Sequence, residues 1–124
     1  MYRPLIASTL LAAVTAHASE GELLTRDAIL RHVVGNTIHF AGAGDELYQY
    51  LDPSGAIRIE STAHGKFAAR WRFFDDQTFC FESADPMSSG CVGIQVNGGQ
   101  ITFVRRDGVV EGPFELQAGN PRHL

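Results

Sequence analysis

Few residues in this chain have the type and spacing that chemistry requires, and the two cysteines come first. Cys80 and Cys91 stand in a C-x10-C arrangement. Two cysteines cannot supply the four ligands of a structural zinc site, and this spacing is not the C-x-x-C of thiol oxidoreductases. In an oxidising compartment two such cysteines pair by default. We therefore predict a structural Cys80–Cys91 disulfide and no metal site.

The other polar residues form no recognisable catalytic set. No serine lies in a G-x-S-x-G motif, and His39 and His64 would form a metal site only if folding joined them. Asp75 and Asp76 fall at a predicted hairpin tip, where aspartate is favoured because it tolerates turn conformations. A glycosidase instead needs two carboxylates facing each other across a cleft. We therefore expect a protein that is not an enzyme and that uses no cofactor.

The N-terminal residues have the pattern of a secretory signal peptide. Arg3 precedes an apolar run at residues 5–14, and Ala16-His17-Ala18 fits the small-x-small cleavage rule. The run is shorter than the roughly 20 residues that span a bilayer, although an uncleaved anchor is the alternative. We predict cleavage after Ala18, a single domain at residues 19–124, and a periplasmic or secreted protein with no remaining membrane span.

Charge restricts the partners. The chain has ten Lys and Arg against fourteen Asp and Glu, a formal net charge of −4. A nucleic-acid-binding surface would need a basic face, so this composition argues against one. We expect a monomer whose partner is a small molecule or an extracytoplasmic protein.

The domain that must position these residues has one helical pattern followed by period-two patterns. The segment "TRDAILRHVVGN" predicts a short helix capped by Thr25 or Asp27. Turn residues then separate eight predicted strands. These strands cover residues 37–41, 46–51, 56–61, 66–74, 78–83, 91–96, 100–106 and 109–117.

Turn positions predict which residues face each other across each hairpin. Two-residue turns are expected at Pro53-Ser54, Asn97-Gly98 and Asp107-Gly108. Together with the longer loops they predict one apolar face, which includes Tyr48, Tyr50 and Trp71, and an opposite polar face, which includes Gln49. The predicted opposed pairs are Tyr48–Ile59, Tyr50–Ile57, Ile59–Phe67, Ile57–Ala69, Trp71–Phe81, Phe73–Phe79, Cys80–Cys91, Ile94–Ile101, Val92–Phe103, Phe103–Gly112 and Ile101–Phe114.

A meander of eight strands with one apolar face favours closure, because closure removes exposed sheet edges. We predict an all-β, eight-stranded antiparallel meander barrel of the lipocalin type, preceded by one short helix that plugs or flanks one mouth. A flattened β-sandwich is the alternative.

The aromatic interior has two interpretations. An eight-stranded barrel is just wide enough for side chains to fill it, and the bulk of these residues favours a filled core. Alternatively, the barrel mouth binds a small apolar molecule. Tyr48, Tyr50 and Trp71 carry polar atoms that need partners when buried, so a pocket would open beside them. We predict an exported, non-enzymatic binding protein, with a periplasmic protease or lysozyme inhibitor, or another interaction module, as the alternative.

The segments "VVGNT", "YQYLDPSGAIR", "ARWRFFDDQTFCFES" and "GCVGIQVNGGQITFV" resemble small exported proteobacterial proteins of unknown function. The resemblance extends from about Thr25 to Leu116, and its motifs are structural. It implies a lipocalin-like barrel with one disulfide and no established activity. A weaker likeness to periplasmic protease and lysozyme inhibitors rests on fold-level analogy, because no loop matches their inhibitory segments.

Overall fold

The computed structural model describes residues 22–42, 44–84 and 89–124; the predicted signal peptide lies outside these ranges. One helix precedes a meander of eight strands. The elements are α1 (Arg26–His32), β1 (Thr37–Gly42), β2 (Asp45–Leu51), β3 (Ala56–Ser61), β4 (Gly65–Asp75), β5 (Thr78–Glu82), β6 (Gly90–Asn97), β7 (Gln100–Val104) and β8 (Val110–Gln117).

Helix α1 begins where the sequence predicts. Thr25 is its N-cap, and its side chain accepts a hydrogen bond from the backbone N–H of Ala28 at 3.4 Å. Ile29 and Val33 are fully buried and belong to the same hydrophobic core as the strands. A backbone hydrogen bond of 2.8 Å from Gly35 to Leu51 ties the end of the helix to β2. The helix therefore packs over the end of the barrel where β1 begins and β2 ends.

The strands form a closed barrel in chain order, with β1 also paired to β8. Closure is made by three antiparallel pairs, Thr37–Gln117, Ile38–Leu116 and His39–Glu115. The predicted eight-stranded antiparallel meander barrel with one preceding helix is confirmed. Because the sheet closes on itself, no long edge remains available for pairing with another chain.

Three hairpins have the predicted register. Ile59 lies opposite Phe67 between β3 and β4, and Trp71 lies opposite Phe81 between β4 and β5. Between β5 and β6, Cys80 lies opposite Cys91. In each case the alternation of apolar and polar residues leaves a single register that buries the apolar set.

The predicted β2–β3 register is wrong by one residue. Leu51, not Tyr50, faces Ile57, and Gln49 faces Ile59. Gly55, at φ 102°, adds a third residue to the turn, and the Asp52 N–H donates to the Ala56 carbonyl at 2.9 Å. A three-residue loop with glycine in a left-handed conformation is a common hairpin connection. Because side chains alternate, the shift places Tyr48 and Tyr50 on the outer face and Gln49 on the inner face.

The last two hairpins also differ from prediction. Ile94 faces Phe103 instead of Ile101, because the two-residue turn lies at Gly98-Gly99, one residue further along than predicted. The pairing therefore shifts by two residues, and the inward set is unchanged. Between β7 and β8, Ile101 faces Phe114 as predicted, but Phe103 faces Glu111. Gly112 is the extra residue of this irregularity, at φ 109°. Its position fits the preference of β-bulges for glycine in a left-handed conformation.

Candidate ligand-binding cup

The barrel interior divides into two halves along its axis. In the half next to α1, which we call the closed half, side chains pack with no exposure to solvent. Ring contacts extend this packing, since Trp71 stacks on Phe79 with centroids 5.5 Å apart. The fully buried members are Ile29, Val33, Ile38, Leu51, Phe79, Ile94 and Ile101.

The half away from α1 is hollow. It contains a cavity of about 1420 Å³, which we call the cup. Phe67 points inward opposite Ile59, yet it is 47% exposed, because the cup opens to solvent beside it. The inward-facing residues that line the cup are Phe40, Leu47, Gln49, Ile57, Ile59, Phe67, Ala69, Phe81, Val92, Phe103, Glu111 and Phe114.

The wall of the cup is largely aromatic, and its rings contact one another. Phe40 and Phe114 have centroids 4.5 Å apart, and Phe103 lies 5.6 Å from Phe81 and 5.7 Å from Phe114. These rings pack edge-to-face or tilted against their neighbours, which is a favoured geometry for aromatic pairs. They stabilise one another along the wall, and all four rings border the cup. An apolar molecule could therefore contact several rings at once.

Gln49 is the one uncharged polar side chain among these inward-facing lining residues. It lies between Ile38 on β1 and Ile59 on β3 in the strand pairing. Within the described part of the chain its amide has no hydrogen-bond partner. The predicted β2–β3 register places Gln49 on the outer face, so the sequence does not identify it as a lining residue. The glycine after Asp-Pro-Ser was the signal that could have found it, since it marks a three-residue loop.

Charged side chains surround the mouth of the cup. Arg105 pairs with Asp107 at 3.2 Å and lies 3.9 Å from Glu111. Arg72 pairs with Glu82 at 2.6 Å. Arg106 lies over the Phe74 ring, 5.0 Å from its centroid, and makes no ion pair within 4.0 Å among the described residues. The border of the cup is thus mixed in charge, and Glu111, which is paired with the inward-facing Phe103, adds a carboxylate to the wall at β8.

The three residues predicted to bind ligand lie elsewhere. Tyr48 and Tyr50 are on the outer face, where Tyr50 faces Arg58 across the β2–β3 pair. Trp71 points inward, but its indole N–H donates to the Asp52 carbonyl at 2.8 Å, and the residue does not line the cup. The indole N–H of Trp71 thus has a partner within the protein and needs none from a ligand. A ligand-binding role for these three residues stays a prediction, and the cavity draws attention to other side chains.

The two cysteines form the predicted disulfide. Cys80 and Cys91 are directly opposed on β5 and β6, with an S–S distance of 2.04 Å. Cys91 also borders the cup, and no free cysteine occurs among the described residues. The bond therefore joins two strands beside the open half of the barrel.

His39 forms a charged cluster on the outer face. Its Nδ1 lies 3.0 Å from Glu115 and its Nε2 lies 2.8 Å from Glu46. Its ring stacks on Tyr48 at 4.4 Å, and the guanidinium of Arg122 lies 3.9 Å from the centre of the Tyr48 ring. The hydrogen bond to Glu115, helped by the one to Glu46, raises the pKa of His39 despite its partial burial.

This cluster is a structural arrangement. Its two carboxylates contact different ring nitrogens of His39, so the three groups do not converge on one point. The hydrogen bonds from His39 lower the pKa of both Glu46 and Glu115. Among the described residues, no group of three or more His, Cys, Asp or Glu side chains could hold a metal ion. The cluster therefore connects β1, β2 and β8 on the outside of the barrel.

The paired aspartates occupy the predicted hairpin tip. Asp75 ends β4, and its carboxylate accepts a hydrogen bond from the Gln77 backbone N–H at 3.0 Å. A hydrogen bond from the Thr78 side chain is the main cause of the lowered Asp75 pKa. The carboxylate therefore closes the turn, as aspartates at hairpin tips commonly do.

Comparison with known proteins found no matching family model, no similar curated protein and no similar solved structure. The resemblance to small exported proteobacterial proteins therefore stays a prediction. Within the described ranges, no helix has the length and apolar character needed to cross a membrane. Function must be inferred from the cup and its surroundings.

Proposed function

We propose that this protein is an exported, non-enzymatic binding protein that holds a small, largely apolar molecule in the cup. The observation that carries the proposal is the open, aromatic cavity of about 1420 Å³. Ligand sites typically enclose about 300–1,000 Å³ and are lined mainly by apolar and aromatic side chains with a few polar groups. The cup has that lining and is large enough for a lipid-sized molecule.

The exposure of Phe67 at the mouth of the cup supports the proposal physically. Side chains that point into a barrel normally fill it, and exposed apolar surface in contact with water is unfavourable. Phe67 remains 47% exposed at the mouth although it points inward. A ligand that covers this surface removes it from water, which contributes roughly 25 cal/mol per Å² of apolar area. Ligand binding is therefore favoured, because it buries apolar surface that the empty cup leaves exposed to water.

Export is part of the proposal and has separate support. The Cys80–Cys91 disulfide suits an oxidising compartment such as the periplasm or the extracellular medium. The signal-peptide pattern at residues 1–18 is consistent with it. A mass spectrum of protein recovered from an exporting host would show a chain beginning at Ser19 if cleavage follows Ala18. A chain that retains residues 1–18 in the cell would contradict export.

The binding site can be tested by filling the cup. Ala69 points inward opposite Ile57 and lines the cup, whereas Ala41 is exposed on the outer face of β1. We expect the wild-type protein to bind the uncharged fluorescent probe N-phenyl-1-naphthylamine, and Ala69→Phe to weaken binding by about tenfold or more, since ring and probe compete for one volume. Fluorescence titration measures both, and Ala41→Phe is the matched control.

The same titration can contradict the proposal. If folded Ala69→Phe binds the probe as tightly as wild type, the cup is not the binding site. If the wild-type protein binds no probe, native mass spectrometry of gently purified protein becomes decisive. A co-purifying protein chain without a small molecule would then favour the inhibitor or interaction-module alternative.

A further inference from the structure

Gln49 restricts what the cup can bind. In the strand pairing its neighbours are Ile38 and Ile59, which are 0% and 6% exposed, and ten of the other eleven inward-facing lining residues are apolar. No described residue forms a hydrogen bond with its amide. Covering this amide with an apolar ligand costs free energy, because the amide loses its hydrogen bonds to water and the ligand does not replace them. A hydrocarbon ligand would leave Gln49 in that state.

Building on the proposed function, we infer that the ligand carries an uncharged hydrogen-bonding group on the part that enters the cup, and that this group pairs with Gln49. The amide has both a carbonyl acceptor and an NH₂ donor, so it can pair with a hydroxyl, a carbonyl, an ester or an amide of the ligand. Gln49 thereby acts as a specificity-determining residue in a largely apolar wall.

The absence of charge on the group follows from the position of the arginines. Gln49 has the uncharged Ile38 and Ile59 as its neighbours in the strand pairing, whereas Arg72, Arg105 and Arg106 border the cup on β4 and just after β7. An anionic group held beside Gln49 would lose its hydration without gaining a counter-ion, which is strongly unfavourable. A neutral polar group loses less hydration free energy, and its hydrogen bond to the Gln49 amide replaces the hydrogen bond to water that it loses.

The inference predicts a preference that depends on one side chain. We would measure displacement of N-phenyl-1-naphthylamine by 1-decanol and by decane from the wild-type protein and from Gln49→Leu. For each protein we would take the ratio of the decanol affinity to the decane affinity. Comparing this ratio between wild type and Gln49→Leu cancels the different hydration of decanol and decane, as in a thermodynamic cycle. Removal of one hydrogen bond should shift this ratio against decanol by about 3- to 10-fold.

Controls separate this effect from damage to the barrel. Gln100→Leu makes the same change at an exposed position on β7 and should keep the wild-type ratio. Gln49→Met, a second apolar replacement, should behave as Gln49→Leu does and serves if the leucine variant folds poorly. Circular dichroism melts of every variant would confirm folding.

Three outcomes would overturn the inference. An unchanged ratio in folded Gln49→Leu or Gln49→Met means that the amide does not contact the ligand. Tighter binding of decanoate than of decanol, lost in Arg106→Gln, places a charged group at the rim instead. If no probe binds the wild-type protein and native mass spectrometry finds no small molecule on it, the proposed function fails and the inference fails with it. The first two results leave binding in the cup intact.

Discussion

The two halves of this barrel are built from the same kinds of residues, yet they differ in what surrounds them. In the closed half, Ile94 and Phe79 are 0% exposed beneath α1. In the cup, Phe67 points inward on β4 but is 47% exposed, and no helix of the described chain covers that end. An apolar side chain stabilises the fold in proportion to the surface it removes from water. The closed half therefore holds the barrel together, and the cup is free to serve another purpose.

The largest expected effect tests this division directly. Ile94→Ala in the closed half should lower the free energy of unfolding by about 2–5 kcal/mol, because it leaves a void in a packed core. Phe67→Ala at the mouth should lower it by only about 1 kcal/mol, because that ring is already half in water. Urea denaturation measures both variants. Equal losses would mean that the mouth is packed as tightly as the closed half.

The disulfide should have an intermediate effect on stability. Replacing both Cys80 and Cys91 with serine should lower the free energy of unfolding by about 2–4 kcal/mol, because the unfolded chain is no longer cross-linked. Since Cys91 borders the cup, amide hydrogen exchange should increase more in β5 and in the first half of β6 than beneath α1. Thermal unfolding that is identical with and without reductant would show that the bond contributes nothing.

The smallest expected effect concerns the outer face. The raised pKa of His39 means that its protonated form is stabilised in the folded state. This contribution is complete below the unfolded pKa of about 6.5 and is lost as pH rises through the higher folded pKa. Wild type should therefore lose up to about 1 kcal/mol relative to His39→Gln between roughly pH 6 and 8.

A series of urea denaturation curves across this pH range provides the measurement. Parallel stabilities of wild type and His39→Gln would show that protonation of His39 is not coupled to folding. The lowered pKa values of Glu46 and Glu115 have the opposite sign. Their contribution is present above their unfolded pKa and is lost as pH falls through the folded values, so the cluster weakens in acid as well.

Much of the fold could be predicted because several local signals agreed. Thr25 capped the helix, the strands alternated with period two, and the Asp75–Gln77 turn gave the correct pairing of Trp71 with Phe81. The disulfide followed from the same reasoning, since the register placed Cys80 opposite Cys91. Where only one register buries the apolar residues, pattern alone is sufficient.

The candidate site could not be predicted, because one strand satisfies the pattern in two ways. Along β2, Tyr48 and Tyr50 alternate with Leu47 and Leu51, so either set could face inward. The extra turn residue at Gly55 selects the leucines. That single shift brings Gln49 inside and turns the tyrosines outward. A ligand site was thus expected beside residues that lie on the other face of the sheet.

The amino-acid sequence by itself determines that this chain forms a closed, disulfide-bonded β-barrel preceded by a short helix. Periodicity, turn residues and cysteine positions are sufficient for this because they are local properties that act along each hairpin. The sequence does not determine whether the barrel is filled or hollow. That depends on which end α1 covers and on how Phe40, Phe103 and Phe114 pack around the axis. Packing in three dimensions leaves the half beneath the helix solid and the other half open.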